Sequence, residues 1–520
     1  MKIRTIISLL MAIQPLFLFA QKYDLNWSHE RHLPYTDFAG PQLICSEEKG
    51  TYHYVHVRKD TWTVLTYNLE NKLLSEKDYK MKTGQSPLNL IELFTTTTGT
   101  FIIAGRYDNK AKTTDIYRYE IRDGGLSEPK KIYTALYEDN PEGKYKKRPN
   151  MDFGLSVALS EDKKKIVLYH SLSNMDKKNT EEALAITMFN ENLEKKWSKV
   201  ERFPMKDTEI DFYNLYVSNK GEIVISGRTI ETHQKYRLRA FLITESDRKE
   251  IKLKLGQNEQ AACLSVLFHD GKMLLAGIYQ KSELVSAKPE GVFLARYRGD
   301  EMMELEKTRF DDVRFFPINK DKSKPYFRNS KLRVSDFTRL KNGDFEFVAE
   351  GFQKSKAAQA FDRNDYGIVI ERPNGMFVSH DDLYIVRLSP EGTMQHFSQL
   401  FRAMYFSMER EYKKHLHVPS GDNSFLFYYD YLSKEEKSDL KGFNPFVPAG
   451  MLAVFDQKGI PVQQQTLFHA KESGYSYPII NIAHVENKII FGGHNLANLH
   501  GPLKVYSKNE VFRFGIIALE

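Results

Sequence analysis

Cysteine is scarce in this chain. Its 520 residues hold two, Cys45 and Cys263, so one disulfide is the most it could form. The strong chemical motifs are missing as well. There is no Gly-x-Ser-x-Gly elbow, no His-Glu-x-x-His, no phosphate loop and no Gly-x-Gly-x-x-Gly, which removes the usual sequence grounds for a serine hydrolase, a zinc protease or a nucleotide enzyme. Neither sign of charge dominates. A net charge of +7 over this length falls short of the dense basic stripe a nucleic-acid binder carries. Beyond residue 19 no run is long and apolar enough to span a bilayer.

What is present starts with the N-terminus. Lys2 and Arg4 precede an apolar stretch over residues 6–19, interrupted by Ser8, Gln14 and Pro15, and Ala20 supplies a small residue at a cleavage point. This anatomy reads as a signal peptide over residues 1–20. It resembles those of periplasmic or surface proteins of Gram-negative bacteria, and no Cys follows it as a lipoprotein anchor would require. The expected product is an exported protein, periplasmic or at the cell surface, that does not span the membrane once the signal is cleaved.

Residues 21–520 read as one domain built from a repeated unit. A short apolar strand meets a tight polar turn, and a second apolar strand often ends in Gly. A variable loop, a third strand, a tight turn and a more polar fourth strand follow. The clearest copy covers residues 90–133. Eight copies are counted, at about 41–80, 88–133, 152–203, 210–255, 261–310, 330–401, 412–468 and 477–520, with seven as the alternative count. The first turns carry hairpin chemistry, as in Asn219-Lys220-Gly221, His269-Asp270-Gly271 and Lys341-Asn342-Gly343. Such residues accept the positive φ of tight antiparallel hairpins. Four-stranded antiparallel units repeated without helices predict an all-β fold, a β-propeller of eight blades.

The eighth unit lacks a fourth strand. Residues 27–34, with Trp27, Ser28, Leu33 and Pro34, match the fourth strand of the third unit at Trp197, Ser198, Phe203 and Pro204. Residues 23–33 are therefore expected to complete the last blade and close the ring, which pairs two edges that would otherwise stay open. The whole of residues 21–520 thus resembles exported bacterial eight-bladed propellers, at the level of fold alone. That resemblance implies that first strands line a central channel. Cys45 and Cys263 then belong to opposite blades, too far apart for a disulfide, and two free thiols are expected.

In such blades the turns joining strands one to two and three to four share one rim. In this sequence those turns are short, whereas the connections on the other rim are long, over residues 171–182, 279–290, 353–381, 431–449 and 494–509. Blade connections at 134–152, 310–330 and 402–414 join them. Variable loops on a rigid scaffold are where recognition is usually placed. Candidate ligand-binding residues on that face are Arg314, Tyr326 and Arg328, in a stretch mixing cations with aromatics, and Tyr412 in a similar one. Arg106, His170 and Arg228 occupy equivalent ends of three consecutive second strands, and Asp430 the same place on the seventh blade. Aromatics beside cations suit sugar rings, acidic polysaccharide or an acidic protein surface. For any single aromatic, pinning its loop to the ring is the commoner role. His415 and His417, two apart on a first strand, share a face that could look into the channel, but no third ligand accompanies them and no metal or other cofactor is expected.

The resulting expectation is a non-catalytic binding or scaffolding propeller that recognises a glycan or an envelope protein and acts as a monomer, with no nucleic-acid partner. Catalytic residues are not assignable. Two alternatives stay open: a polysaccharide hydrolase or lyase acting at the channel mouth, and a structural component of a cell-envelope assembly that docks through its outer strands.

Overall fold

The structure, a computed structural model, describes residues 23–34, 42–46, 50–58, 60–83, 86–108, 111, 113–136, 155–172, 181–206, 210–232, 235–284, 287–320, 322–327, 331–356, 359–363, 369–373, 376–402, 404–406, 415–421, 423–431, 448–469, 475–476, 482–495 and 509–519. They form an eight-bladed β-propeller. Blade 1 comprises Gln42–Ser46, Thr51–Arg58, Thr61–Asn68 and Leu73–Lys80, and the same order of four antiparallel strands recurs around the ring. Among the described residues the only helix is a 3-10 turn at Phe310–Asp312, and no helix is long and apolar enough to cross a membrane.

Alternation builds the ring. Side chains on a strand point to opposite faces in turn, so each inner blade strand is apolar on both sides and packs against a blade on either hand. Within Phe345–Lys356 of blade 6, Phe345, Phe347 and Ala349 join blade 5 in one core, while Val348 joins blade 7 in another. A core of this kind fills every junction, including the one between blades 8 and 1, where Tyr52, Tyr54, Leu65 and Tyr67 meet Ile490, Phe514 and Ile516. The circle is complete.

Closure uses the chain's own beginning. Leu25–Trp27 pairs antiparallel with Asn509–Ala518, placing Leu25 opposite Ile517 and Trp27 opposite Gly515. Arg31–Pro34 continues the ladder. The Trp27 ring packs edge-on against Phe468 (5.4 Å) and Phe491 (5.5 Å), which ties blade 7 to blade 8. Asn71, in the last turn of blade 1, donates to the carbonyls of Asn26 (2.6 Å) and Phe514 (3.2 Å) and accepts from Tyr52 Oη (2.5 Å). One buried amide thus clasps both chain ends to the first blade.

The tight turns interlock on one rim. Asp270 (φ 49°) and Gly271 (φ 70°) form the two-residue hairpin that their sequence predicts, since both positions need positive φ. In neighbouring blades, the Asp162 amide donates to Asn219 (3.1 Å), and Thr98 Oγ1 to the Glu191 carbonyl (2.9 Å).

Two connections expected as irregular carry strands instead. Between residues 353 and 381, Phe345–Lys356 and Met376–Leu388 stay paired well past the blade, and Gln359–Arg363 pairs with Val369–Pro373. Between residues 310 and 330, Phe315–Pro317 pairs in parallel with the outer strand of blade 6, Met394–Leu400. That segment lies as a strap along the blade's outer edge, drawn there as Phe310 and Phe315 enter the core between blades 5 and 6. Cys263 is a free thiol buried in the same core, and burial pushes its pKa up to about 12. The Cys45 side chain is outside the described residues.

Candidate functional site

The most concentrated chemistry lies between blades 6 and 7. Glu346 and Glu350 stand four apart on one strand, on the face turned to blade 7, and both are fully buried. Arg387 donates from Nε to Glu346 (2.9 Å), and its Nη2 stands 2.7 Å from the same oxygen as an ion pair. His417 donates from Nε2 to the other Glu346 oxygen (2.5 Å). One turn-length away, Arg402 donates to Glu350, Arg333 joins it (2.9 Å), and His415 Nδ1 stands 3.7 Å from the same carboxylate. Asp382 accepts from the Arg402 amide (2.9 Å) and from Gln399 (2.9 Å), and the charge of Asp430 also acts on Arg402.

Electrostatics explains why so many charges tolerate burial. Burial alone would raise the Glu346 carboxyl. The positive partners His417 and Arg387 outweigh it and hold the pKa at about 2. For Arg402, burial dominates and lowers its pKa, against the opposing pull of Glu350 and Asp430. Each charge is paired and hydrogen-bonded, the condition for keeping it inside. His415 and His417 therefore turn toward blade 6 and its glutamates, not toward an open channel. Glu346, Glu350, Arg387, Arg402, His415 and His417 are all buried, and only Arg333 reaches the surface, so this cluster fixes the register of two blades.

The strap along blade 6 is the opposite case. Phe310, Phe315 and Phe327 cover Phe397, and Phe327 stacks on Tyr384 (4.9 Å). Between these anchors the Tyr326 backbone is clamped. Its amide donates to Gln399 Oε1 (2.9 Å), and its carbonyl accepts from Gln399 Nε2 (2.6 Å) and Tyr384 Oη (3.3 Å). The residue nevertheless stays 57% exposed. Lys322 and Lys324 beside it are exposed. Arg314 is exposed too, its guanidinium 4.8 Å from the Phe316 ring. Pinning is thus the role of the phenylalanines, and Tyr326 is the aromatic left facing water.

The other candidates are engaged within their own junctions. Arg106 pairs with Asp115 (3.1 Å) and lies over Tyr117, while Lys131 (2.5 Å) and Thr134 (3.0 Å) reach the same carboxylate. Partial burial raises the Asp115 carboxyl, but those hydrogen bonds prevail and its pKa is lowered. His170 is buried, its Nδ1 3.3 Å from the Ser171 carbonyl, and burial lowers its pKa. Arg228 is buried over the Tyr236 ring (4.1 Å) and donates to the Ala262 carbonyl (3.4 Å). Arg328 and Tyr412 lie outside the described residues. Among the described residues no group of three or more His, Cys, Asp or Glu is arranged to hold a metal ion.

The charges of blades 6 and 7 are what sequence reasoning missed. A signal was present in Phe345-Glu346-Phe347-Val348-Ala349-Glu350, where two acids fall on a face that must pack against the next blade. Only a knowledge of which blade follows makes that face internal.

No family description and no curated protein matches this chain. Solved structures match it in fold at low identity. The β-propeller domain of the Trilobed protease from Pyrococcus furiosus is 13% identical, with a TM-score of 0.34, over 84% of this chain and 98% of that one. The WD40 domain of SCAP from fission yeast is 10% identical, with a TM-score of 0.38, over 96% and 98%. The polysaccharide lyase Uly1 is 11% identical, with a TM-score of 0.38, over 95% and 100%.

Proposed function

We propose that this chain is an exported, non-catalytic binding propeller that recognises an acidic glycan, using the strap along blade 6 and the long connections near it. The observation that carries the reading is Tyr326. A large aromatic side chain is held out in solvent on a backbone fixed by three hydrogen bonds, with Lys322 and Lys324 exposed beside it in the chain and Arg314 exposed further along the same strap. An aromatic face stacks on a sugar ring, and the lysines supply charge for its carboxylates or sulfates. Preorganisation lowers the ordering cost of binding. The buried carboxylates Glu346 and Glu350 support the same reading, since each is already taken up by buried cationic partners.

Affinity electrophoresis in gels containing polygalacturonate, alginate or neutral dextran tests this. The two acidic polymers are expected to retard the protein, less so at high salt, and dextran to leave it unmoved. Tyr326→Ala is expected to weaken retardation about tenfold, given about 1–2 kcal/mol for one stacked ring. Equal mobility of wild type and Tyr326→Ala overturns the site. Accumulation of shortened or unsaturated oligosaccharide on incubation overturns the non-catalytic assignment.

A further inference from the structure

Blade 4 differs from the others at its outer edge. Its third strand, Lys235–Ile243, has nine residues, but its fourth, Arg248–Glu250, has three. The short strand pairs only with Phe241, Leu242 and Ile243. One further bond, from the Ile251 amide to the Ala240 carbonyl (2.8 Å), ends the ladder, and Ile251 and Leu255 then turn into the core between blades 4 and 5. At the other end, the Tyr236 amide crosses to the Glu283 carbonyl of blade 5 (3.0 Å). Alternate residues of an antiparallel strand aim both backbone groups at the same neighbour. Tyr236 and Ala240 face outward, so Leu238 between them does too. Among the described residues, its amide and carbonyl meet no backbone partner on that side.

This open edge borders a cleft of about 740 Å³ between blades 4 and 5. Leu238, Leu253, Leu264 and Leu275 give it an apolar lining. Among the described residues its walls hold five cationic side chains and three carboxylates. All three acids are already engaged: Glu250 with Arg239 (3.1 Å), Glu283 with Arg237 (2.6 Å) and Glu259 with Lys307 (2.5 Å). The first two are partly exposed pairs, which contribute little and exchange readily. Arg237 and Arg239, two apart, share the strand face opposite Leu238.

We propose that this edge receives an extended peptide segment of a partner protein as the missing outer strand of blade 4, a segment that alternates apolar with acidic residues. The free backbone groups of Leu238 provide the ladder. The apolar lining takes one face of the added strand, and the arginine row and the cationic excess take the other. The protein already does the equivalent to itself on blade 6, where Phe315–Pro317 is added to the outer strand. The blade 4 edge is separate from the Tyr326 strap, so the two sites stand or fall independently.

The test is fluorescence anisotropy of the full chain with a capped octapeptide alternating valine and glutamate. Two controls accompany it: the same peptide with lysine for glutamate, and the acidic peptide N-methylated at alternate amides. The acidic peptide is expected to bind at least tenfold more tightly than either control. Lys252→Glu is expected to weaken it severalfold, and the peptide to slow hydrogen–deuterium exchange over residues 235–243. Equal binding of the N-methylated peptide overturns the proposal. So does full binding to a folded Leu238→Pro variant, which keeps an apolar residue but loses the N–H. Slow exchange of the Leu238 amide in the free, dilute chain also overturns it, because the edge would then be occupied by the chain itself.

Discussion

Glu346 shows how one residue's chemistry is set by its neighbours. Replacing it by Ala would leave Arg387, itself 1% exposed, as an uncompensated charge between two blades. Removing one member of a buried pair typically costs about 3–5 kcal/mol, and chemical denaturation of Glu346→Ala should show a loss in that range. The acid limb of stability follows from the same contact. Its folded pKa, about 2, lies below the ordinary carboxylate value, so its contribution is complete above about pH 5. It is then lost as pH falls toward 2. Stability of the Glu346→Gln variant should depend less on pH across that window than wild type does. Cys263 offers a second test. Burial holds its pKa at about 12, and a thiol this poorly ionised is a weak nucleophile. In a Cys45→Ser background, Ellman's reagent is expected to react only after denaturant is added; fast reaction in the native state would contradict the packing.

At the scale of elements, the closing strand is where the ring is both completed and vulnerable. Leu25–Trp27 and Arg31–Pro34 are two short pieces of ladder, and side chains reinforce them: Trp27 on Phe468 and Phe491, and Asn71 on the Asn26 and Phe514 carbonyls. Asn71 also adopts φ 64°, which Asn tolerates better than Ala. Asn71→Ala should therefore lower stability by about 2 kcal/mol, from lost buried hydrogen bonds and backbone strain together. Trp27→Ala should cost about 2–3 kcal/mol, less than a fully buried aromatic would, because Trp27 is only partly buried. Gly515 sits opposite Trp27 for a steric reason, since a Cβ there would lie 2.4 Å from the Phe491 ring. In thermal melts, the Asn71 and Trp27 variants should each lower the midpoint, and an unchanged midpoint for both would mean the strand is not holding the circle.

For the whole molecule, eight inter-blade cores joined end to end make the ring one cooperative body. Deleting residues 23–34 would expose the outer edge of Asn509–Ala518 and uncouple blade 8 first. Hydrogen exchange should then accelerate in blades 7, 8 and 1 before blade 4, and uniform acceleration would argue against local opening at the seam. Much of this architecture is written locally. Turn chemistry at Asp270-Gly271 and strand alternation are short-range signals that specify the repeated blade, and the Trp27–Trp197 likeness marks the closing strand; eight blades rather than seven is settled by the closed ring. The fate of individual side chains is not local. Phe310, Phe315, Phe327 and Tyr326 read alike in sequence, yet three are drawn into the core and the fourth is held in water by Gln399 and Tyr384, more than 50 positions away. Glu346 and His417 become partners only because blade 6 is pressed against blade 7. Periodicity fixes which face of a strand a residue occupies; only the packed circle decides what that face meets, because burial and charge pairing depend on neighbours that the chain brings together last.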